Sequence, residues 1–256
     1  MRSAWKSDPG LVRENNEDFV LADEDRGIFL LADGMGGGPG GEVASRLAAT
    51  TAHEALKRHL PERGRDEEIP LLMAEALAAA HSAVFKRSLA EPSLAGMGTT
   101  QDMVIVREGR VFTCHVGDSR VYLFHEGKLS QITTDDNYFA VLAASGEIPL
   151  DQIPRAYRHI LTQAVGPSKE LIPEIRALDM EPADLLLMCS DGLTGAVDDM
   201  EIGRIMNGNR EDLTAMAGAL VDAANGGGGP DNVSVCIIEP LASPTVTVTA
   251  LLPYGH

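Results

Sequence analysis

The chain has 256 residues, 44% of them apolar but only 4% aromatic, so its core must be built from Ala, Val, Leu, Ile and Met. Its 38 acidic and 21 basic residues give a formal charge of −17, which would repel a nucleic-acid backbone or an anionic membrane surface. No break in composition divides it, which points to one domain of generous size. Cys114, Cys189 and Cys236 are odd in number, lack CxxC spacing and sit in apolar runs. They read as buried small hydrophobes in a reducing compartment rather than a disulfide framework or a zinc site. The start, Met1-Arg2-Ser3-Ala4-Trp5-Lys6, has no apolar signal region, and no stretch approaches the roughly 20 apolar residues of a membrane span. The expected location is the cytoplasm, with no membrane or nucleic-acid partner.

In chain order, the apolar run 28–32 predicts a strand. A helix beginning near Gly41-Glu42 follows, with Ala44, Leu47, Ala48, Thr51 and Ala55 on one face. A second, Ala/Leu-rich helix is predicted over about 71–85. Strands are then expected at 103–106, 111–116 and 121–125, with Glu108-Gly109 and Glu126-Gly127 at hairpin tips. The stretch from about 133 to 163, with Pro149 and Pro154 and weak helical character, reads as an irregular flap over a sheet edge. A strand at 185–189, a helix through Leu213, Met216, Ala217, Leu220, Val221 and Ala224, a glycine turn at 226–229 and a strand at 233–238 complete the domain. Tight links between successive strands make them antiparallel, so the order fits an antiparallel α+β sandwich better than a doubly wound sheet. The tail at 241–256 holds the alternation Thr245-Val246-Thr247-Val248-Thr249, which suits either an added edge strand or an extension.

Four aspartates share an address. Asp33 follows the first apolar strand and precedes Gly34; Asp191 follows 185–190 and precedes Gly192; Asp118 follows 111–117; Asp231 stands just before the last strand. Each lies at a strand end beside residues that let the backbone turn sharply. One Asp-Gly is usually only a turn. If four such ends converge, their repulsion must be offset by cations, and hard oxygen ligands select Mg²⁺ or Mn²⁺. Arg13 adds a guanidinium whose fork suits two phosphate oxygens, with Glu17 and Asp18 close behind it in sequence. The glycines after Asp33 form neither a Walker A loop nor a dinucleotide turn, and are expected to permit close approach of the backbone.

These motifs resemble the PPM (type 2C) family of metal-dependent Ser/Thr protein phosphatases in its compact bacterial form. The matching runs, in the family's order, begin with Ser7-Asp8-Pro9-Gly10 through Arg13 to Asn16-Glu17-Asp18, then Ala32-Asp33-Gly34-Met35-Gly36-Gly37 and Gly96-Met97-Gly98-Thr99-Thr100. They end with His115-Val116-Gly117-Asp118-Ser119-Arg120, Leu187-Met188-Cys189-Ser190-Asp191-Gly192-Leu193 and Gly229-Pro230-Asp231-Asn232-Val233-Ser234-Val235. The resemblance implies a four-layer α/β/β/α sandwich over residues 1–240, with metals at one edge of its two antiparallel sheets. It implies two to three Mn²⁺ or Mg²⁺ ions, with Asp33, Asp191, Asp231 and the Gly34 carbonyl as ligands and Asp118 joining Asp191 at a third ion. Arg13 would bind phosphate, Glu17 and Asp18 would hold waters around the metals, Asp18 would orient the nucleophile, and Asn232 would support Asp231. The implied reaction is hydrolysis of phosphoserine and phosphothreonine in proteins by a metal-activated water, without a phospho-enzyme. The implied setting is a monomer that opposes a bacterial Ser/Thr kinase and acts on that kinase and its targets.

Three departures stand out. Met35 occupies the position where many eukaryotic members carry a histidine, so water is expected to protonate the leaving alkoxide. Asp136 stands where members commonly have His, and Asp102 lies in a strand that is usually more apolar; it is expected to face outward. His53, His59, His81, His125 and His159 are expected to be solvent-facing or structural, and His115 to hydrogen-bond behind Asp118 rather than ligate. Two other functions share these motifs: a phosphatase tuned to one regulatory partner, and a binding module without catalysis. Retention of all four aspartates and Arg13 speaks against the second of these.

Overall fold

The unbroken apolar run at 28–32 reflects burial on both faces of one strand. In the computed structural model, β3 (Ile28–Met35) turns Ile28, Leu30 and Ala32 toward helices and Phe29 and Leu31 toward a second sheet. Residues 1–35, 40–60, 65–181, 183–208 and 210–240 are described. The 241–256 tail and the glycines 36–38 therefore lie outside the described residues.

One sheet runs β1 (Arg2–Asp8), β11 (Val233–Glu239), β10 (Leu185–Cys189), β7 (Arg120–His125), β8 (Lys128–Gln131). The other runs β2 (Asp18–Asp23), β3, β5 (Gln101–Arg107), β6 (Arg110–Val116), β9 (Glu174–Asp179), with the short β4 (Gly98–Thr99) paired to the end of β3. The pairings are antiparallel; β2–β3, β5–β6 and β7–β8 are short-linked hairpins, whereas β6 and β7, joined by 117–119, lie in different sheets and do not pair as their tight link suggested. Helices α1 (Gly40–His59) and α2 (Ile69–Ala90) cover the second sheet. The first is covered by α5 (Asp199–Gly208) and α6 (Leu213–Gly226), after the one-turn α4 (Asp191–Thr194). Phe29, Leu31, Val104, Leu186, Met188 and Cys236 fill the space between the sheets. Three apolar layers thus separate four structural ones, and each fully buried large side chain contributes about 1.5–3 kcal/mol.

Both hairpin tips form as expected. Glu108 and Gly109 have φ of 47° and 84°, and Glu126 and Gly127 have 48° and 80°, the paired left-handed residues of a tight two-residue turn. All three cysteines are free and buried, and burial pushes their thiols up, to about 12 for Cys236.

Two expectations are corrected. The span Asp66–Ala90 is apolar enough to cross a membrane by length and composition, with a mean hydropathy of 1.3. Its Met73, Ala76, Leu77, Ala80 and Val84 pack into the core with α1, so burial accounts for one side of this apolar helix. Asp102 does not face outward: it is 0% exposed. Strand parity puts it on the same face as Val104, between the sheets, where it pairs with His115.

The flap is more regular than its sequence suggested. It contains α3 (Tyr138–Ser145), capped by the Asn137 carboxamide oxygen accepting from Ala140 N at 2.9 Å and ended by left-handed Gly146. Two short 3₁₀ turns, Leu150–Gln152 and Arg155–His159, follow the prolines. A bridge between Asn137 and Leu161 pinches the flap at its base.

Candidate metal centre

The strand ends that carry the aspartates open on one cleft of about 1090 Å³, lined by Arg13, Glu17, Gly34, Met35, Asp118, Asp191 and Asp231. Asp33 lies in the last part of β3, directly opposite Asp18 in the register of β2 with β3. Like charges placed across a strand pair destabilise it unless something intervenes. The backbone of Asp33 is fixed from behind: its N–H donates to Thr100 Oγ1 at 2.9 Å, and its carbonyl accepts from Thr99 Oγ1 at 2.8 Å and Thr100 N at 2.9 Å. Gly34 has no room for a side chain, since a Cβ there would lie 2.2 Å from the Gly41 carbonyl oxygen. Its glycine is required for the close seating of α1 against β3, the close approach expected of that motif.

Ser190 links two of the acids. Its hydroxyl donates to Asp18 Oδ2 at 2.8 Å and accepts from Ser234 N at 2.9 Å, while its carbonyl neighbour Asp191 begins α4. A Cβ on Gly192 would lie 1.9 Å from Asn232 O, so Asp191 and Asp231 can approach only because glycine separates their strands. Gly117, at φ 119°, packs on Thr100 and turns the chain into Asp118.

Asn232 is a buckle for the N-terminal segment. Its Oδ1 accepts from Glu17 N at 2.8 Å, and its Nδ2 donates to Pro9 O at 3.0 Å and Asn15 O at 2.8 Å. This holds Arg13 at the cleft, where its guanidinium donates to Asp231 Oδ2 at 2.8 Å and remains 51% exposed. Glu17 lies between, with burial raising its carboxyl and Arg13 opposing that.

The electrostatics test whether divalent cations suit this set. Burial pushes Asp18 up to about 7 against the nearby Ser234 and Ser190 hydroxyls, with Asp191 and Asp231 adding to the rise. Burial lifts Asp33 well above the usual carboxylate range, and Asp18, Asp191, Asp118 and Asp231 raise it further. Asp118 is pushed to about 8 by burial, then by Asp191 and Asp135; Asp191 rises by burial and by Asp231. Asp18 Oδ1 is buried without a hydrogen-bond partner. Among the described residues no three His, Cys, Asp or Glu side chains close into a finished cage. Carboxylates that raise one another in this way call for a small ion with affinity for hard oxygen. The residues fit Mn²⁺ or Mg²⁺.

The chain matches a sequence model for protein phosphatase 2C over residues 12–221. This chain belongs to the protein phosphatase 2C family. The serine/threonine phosphatase PstP of Mycobacterium tuberculosis H37Rv is 36% identical over 240 residues, covering 93% of this chain and 45% of PstP. The chain thus spans about half the length of that relative. Serine/threonine phosphatase stp of Listeria monocytogenes serovar 1/2a is 32% identical over 93% of this chain and 96% of its own length. The crystal structure of the PstP catalytic domain with two manganese ions matches at a TM-score of 0.80 and 37% identity, covering 92% of this chain and 96% of that one. The two-sheet sandwich expected from the resemblance is therefore the fold of this protein phosphatase 2C member.

Two residues at the site escaped sequence reasoning. His159, expected to be solvent-facing or structural, lines the cleft 72% exposed with Nδ1 3.8 Å from Asp191 Oδ2, and it pulls the Asp191 carboxyl down. It reaches the site only because the flap folds back, and no spacing in its Pro/Arg-rich segment signals that. Ser190 was passed over because a serine before Asp-Gly reads as a turn residue.

Proposed function

We propose that this chain hydrolyses phosphoserine and phosphothreonine in proteins by direct attack of water, without a phospho-enzyme. The observation that supports it best is the convergence of Asp118, Asp191 and Asp231 from separate segments on one cleft, with Asp18 and Asp33 near enough that burial and mutual repulsion raise Asp18, Asp33, Asp118 and Asp191. Asp33, Asp191, Asp231 and the Gly34 carbonyl would hold two of the Mn²⁺ or Mg²⁺ ions, and Asp118 with Asp191 a third. Bound there, such ions lower the pKa of water toward neutrality and screen the phosphate charge.

The protein's own groups do the rest. Asp18, whose buried Oδ1 has no hydrogen-bond partner and whose Oδ2 accepts from Ser190, would accept a hydrogen bond from the attacking water and orient it. Arg13, held at the cleft wall by Asn232 through Pro9 and Asn15, grips the equatorial phosphate oxygens as charge builds on them. Glu17, whose main chain is fixed between Asn232 and Gly34, supports the waters around the ions. Met35 has no ionisable proton to give, so water protonates the leaving alkoxide.

The same reading assigns residues 1–240 to one catalytic domain including the flap, acting as a monomer in the cytoplasm, where three buried thiols stay reduced. It is part of signal transduction, opposing a bacterial Ser/Thr kinase and acting on that kinase and its targets, with no nucleic acid or membrane involved. The test is hydrolysis of p-nitrophenyl phosphate and a phosphothreonine peptide with Mn²⁺, with Mg²⁺ and with EDTA. Turnover that requires added metal is expected; turnover unaffected by EDTA would overturn the reading.

A further inference from the structure

The mechanism leaves two fully buried ionisable groups unused. Asp102 on β5 and His115 on β6 are registered partners, 0% and 1% exposed, with Oδ1 and Nδ1 2.6 Å apart. The other ring nitrogen, Nε2, donates to the carbonyl of Thr134 at 3.1 Å. The Thr134 carbonyl can only accept, so Nε2 carries a proton, and a further proton is shared between Nδ1 and Asp102 Oδ1, whose carboxyl burial raises. Burial alone would lower the ring's pKa, but Asp102, Asp136 and Glu174 reverse that and hold it at about 9. Asp102 Oδ2 has no hydrogen-bond partner, so the carboxyl is anchored through Oδ1 to His115.

Thr134 is the first of three consecutive residues pinned at the root of the flap. Its N–H donates to Glu174 Oε2 at 2.7 Å. Asp135 takes both Nε and Nη2 of Arg120, at 2.8 and 2.7 Å. Asp136 Oδ2 accepts from Gly117 N at 2.9 Å and from Gln163 Nε2 at 2.8 Å, and its main chain bonds Gly117 O at 2.6 Å and Thr162 N at 2.8 Å. Residues 115, 117 and 120 are thus tied to 134, 136 and 135, and they bracket Asp118. Through Thr162 and Gln163 the far end of the flap joins the same knot.

We propose that the Asp102–His115 pair is a positioning device: it locks the flap root onto the turn that presents Asp118, so that flap and Asp118 are set as one unit. The pair touches no reacting atom and acts through Thr134, two residues before the Asp136 that holds Gly117. This rests on the proposed function for its kinetic readout, but not for its structural one. Partners that orient metal ligands typically change metal affinity or activity by about 10–100-fold when removed.

The experiment compares wild type, His115→Gln, Asp136→Ala and Asp136→Asn. Asp136 is only half-buried, so its variants keep the question open if His115→Gln fails to fold. Hydrogen–deuterium exchange of the flap amides, read without added metal, is expected to speed up in His115→Gln and Asp136→Ala. Manganese titration of p-nitrophenyl phosphate hydrolysis should show half-saturation rising about tenfold in the same two variants, with recovery in Asp136→Asn, which keeps an acceptor oxygen. Calorimetry should show the weakest manganese site lost first. Flap exchange and manganese half-saturation unchanged in folded variants of an active wild type would overturn the proposal. A wild type inactive with metal would instead overturn the catalytic reading and leave the exchange result to decide this one.

Discussion

Two sets of buried acids sit side by side at one edge of the sandwich, and they are balanced differently. At the flap root, Asp102 faces His115 and Asp135 faces Arg120, each acid meeting a base of the same chain. Around the cleft, Asp18, Asp33, Asp118 and Asp191 meet chiefly one another, and half-exposed Arg13 pairs with Asp231. Acids that the chain neutralises itself need nothing further; acids it leaves facing one another call for a positive charge from outside.

The comparison breaks most readily at Asp191. Asp191→Ala should lower kcat/KM toward p-nitrophenyl phosphate with manganese by about 10³-fold, or about 4 kcal/mol, with the fold intact by circular dichroism. A variant of near-normal rate would mean that the converging acids are not ligands. Next comes Arg120→Met, which leaves Asp135 buried and unpaired; urea unfolding should show a loss of about 3 kcal/mol. If it instead lowered activity as far as Asp191→Ala without destabilising, the flap root would belong to the chemistry. For Arg13→Ala, KM should rise about tenfold, worth about 1.4 kcal/mol, in steady-state kinetics; no change in KM or kcat would remove its phosphate role.

The smallest effect concerns pH. Asp18 and Asp118 have folded values of about 7 and about 8, above their ordinary 3.8. A carboxyl raised on folding contributes stability that is whole below about pH 4 and lost as pH climbs through 7 and 8. The Tm of EDTA-treated protein should therefore fall from pH 5 to pH 8. Manganese should raise Tm more at pH 8 than at pH 5, by about 3 °C or more for a domain of this size. An equal rise at both values would mean that the acids are not competing with protons for the ion.

Legibility in the sequence followed burial. Strands closed on both faces, such as β3 and β10, announce themselves as apolar runs, and Ala-rich α1, α2 and α6 by their period. Strands β1, β2, β8 and β9 were not foreseen, because they lie at or beside sheet edges where half-exposed faces tolerate Lys6, Ser130 and Arg176. Helix α5 hides because only Ile202, Ile205 and Met206 mark its buried side. At the site, Asp33, Asp118, Asp191 and Asp231 were readable as acids at strand ends beside glycines. Asp102 was misjudged because an acid in a strand gives no sign of which face is closed.

By itself the sequence determined which chemistry was possible: hard oxygen donors at turns, one guanidinium near the start, and no cysteine or histidine fit to act as nucleophile. It also determined the antiparallel hairpins β5–β6 and β7–β8, whose two-residue links let the strands pair no other way. Only the tertiary structure decided which acids face bases and which face acids. That distinction depends on register and on flap closure, as with Asp18 opposite Asp33 and His115 beneath Thr134. Residues far apart in the chain acquire their charge environment from contacts that no local pattern encodes.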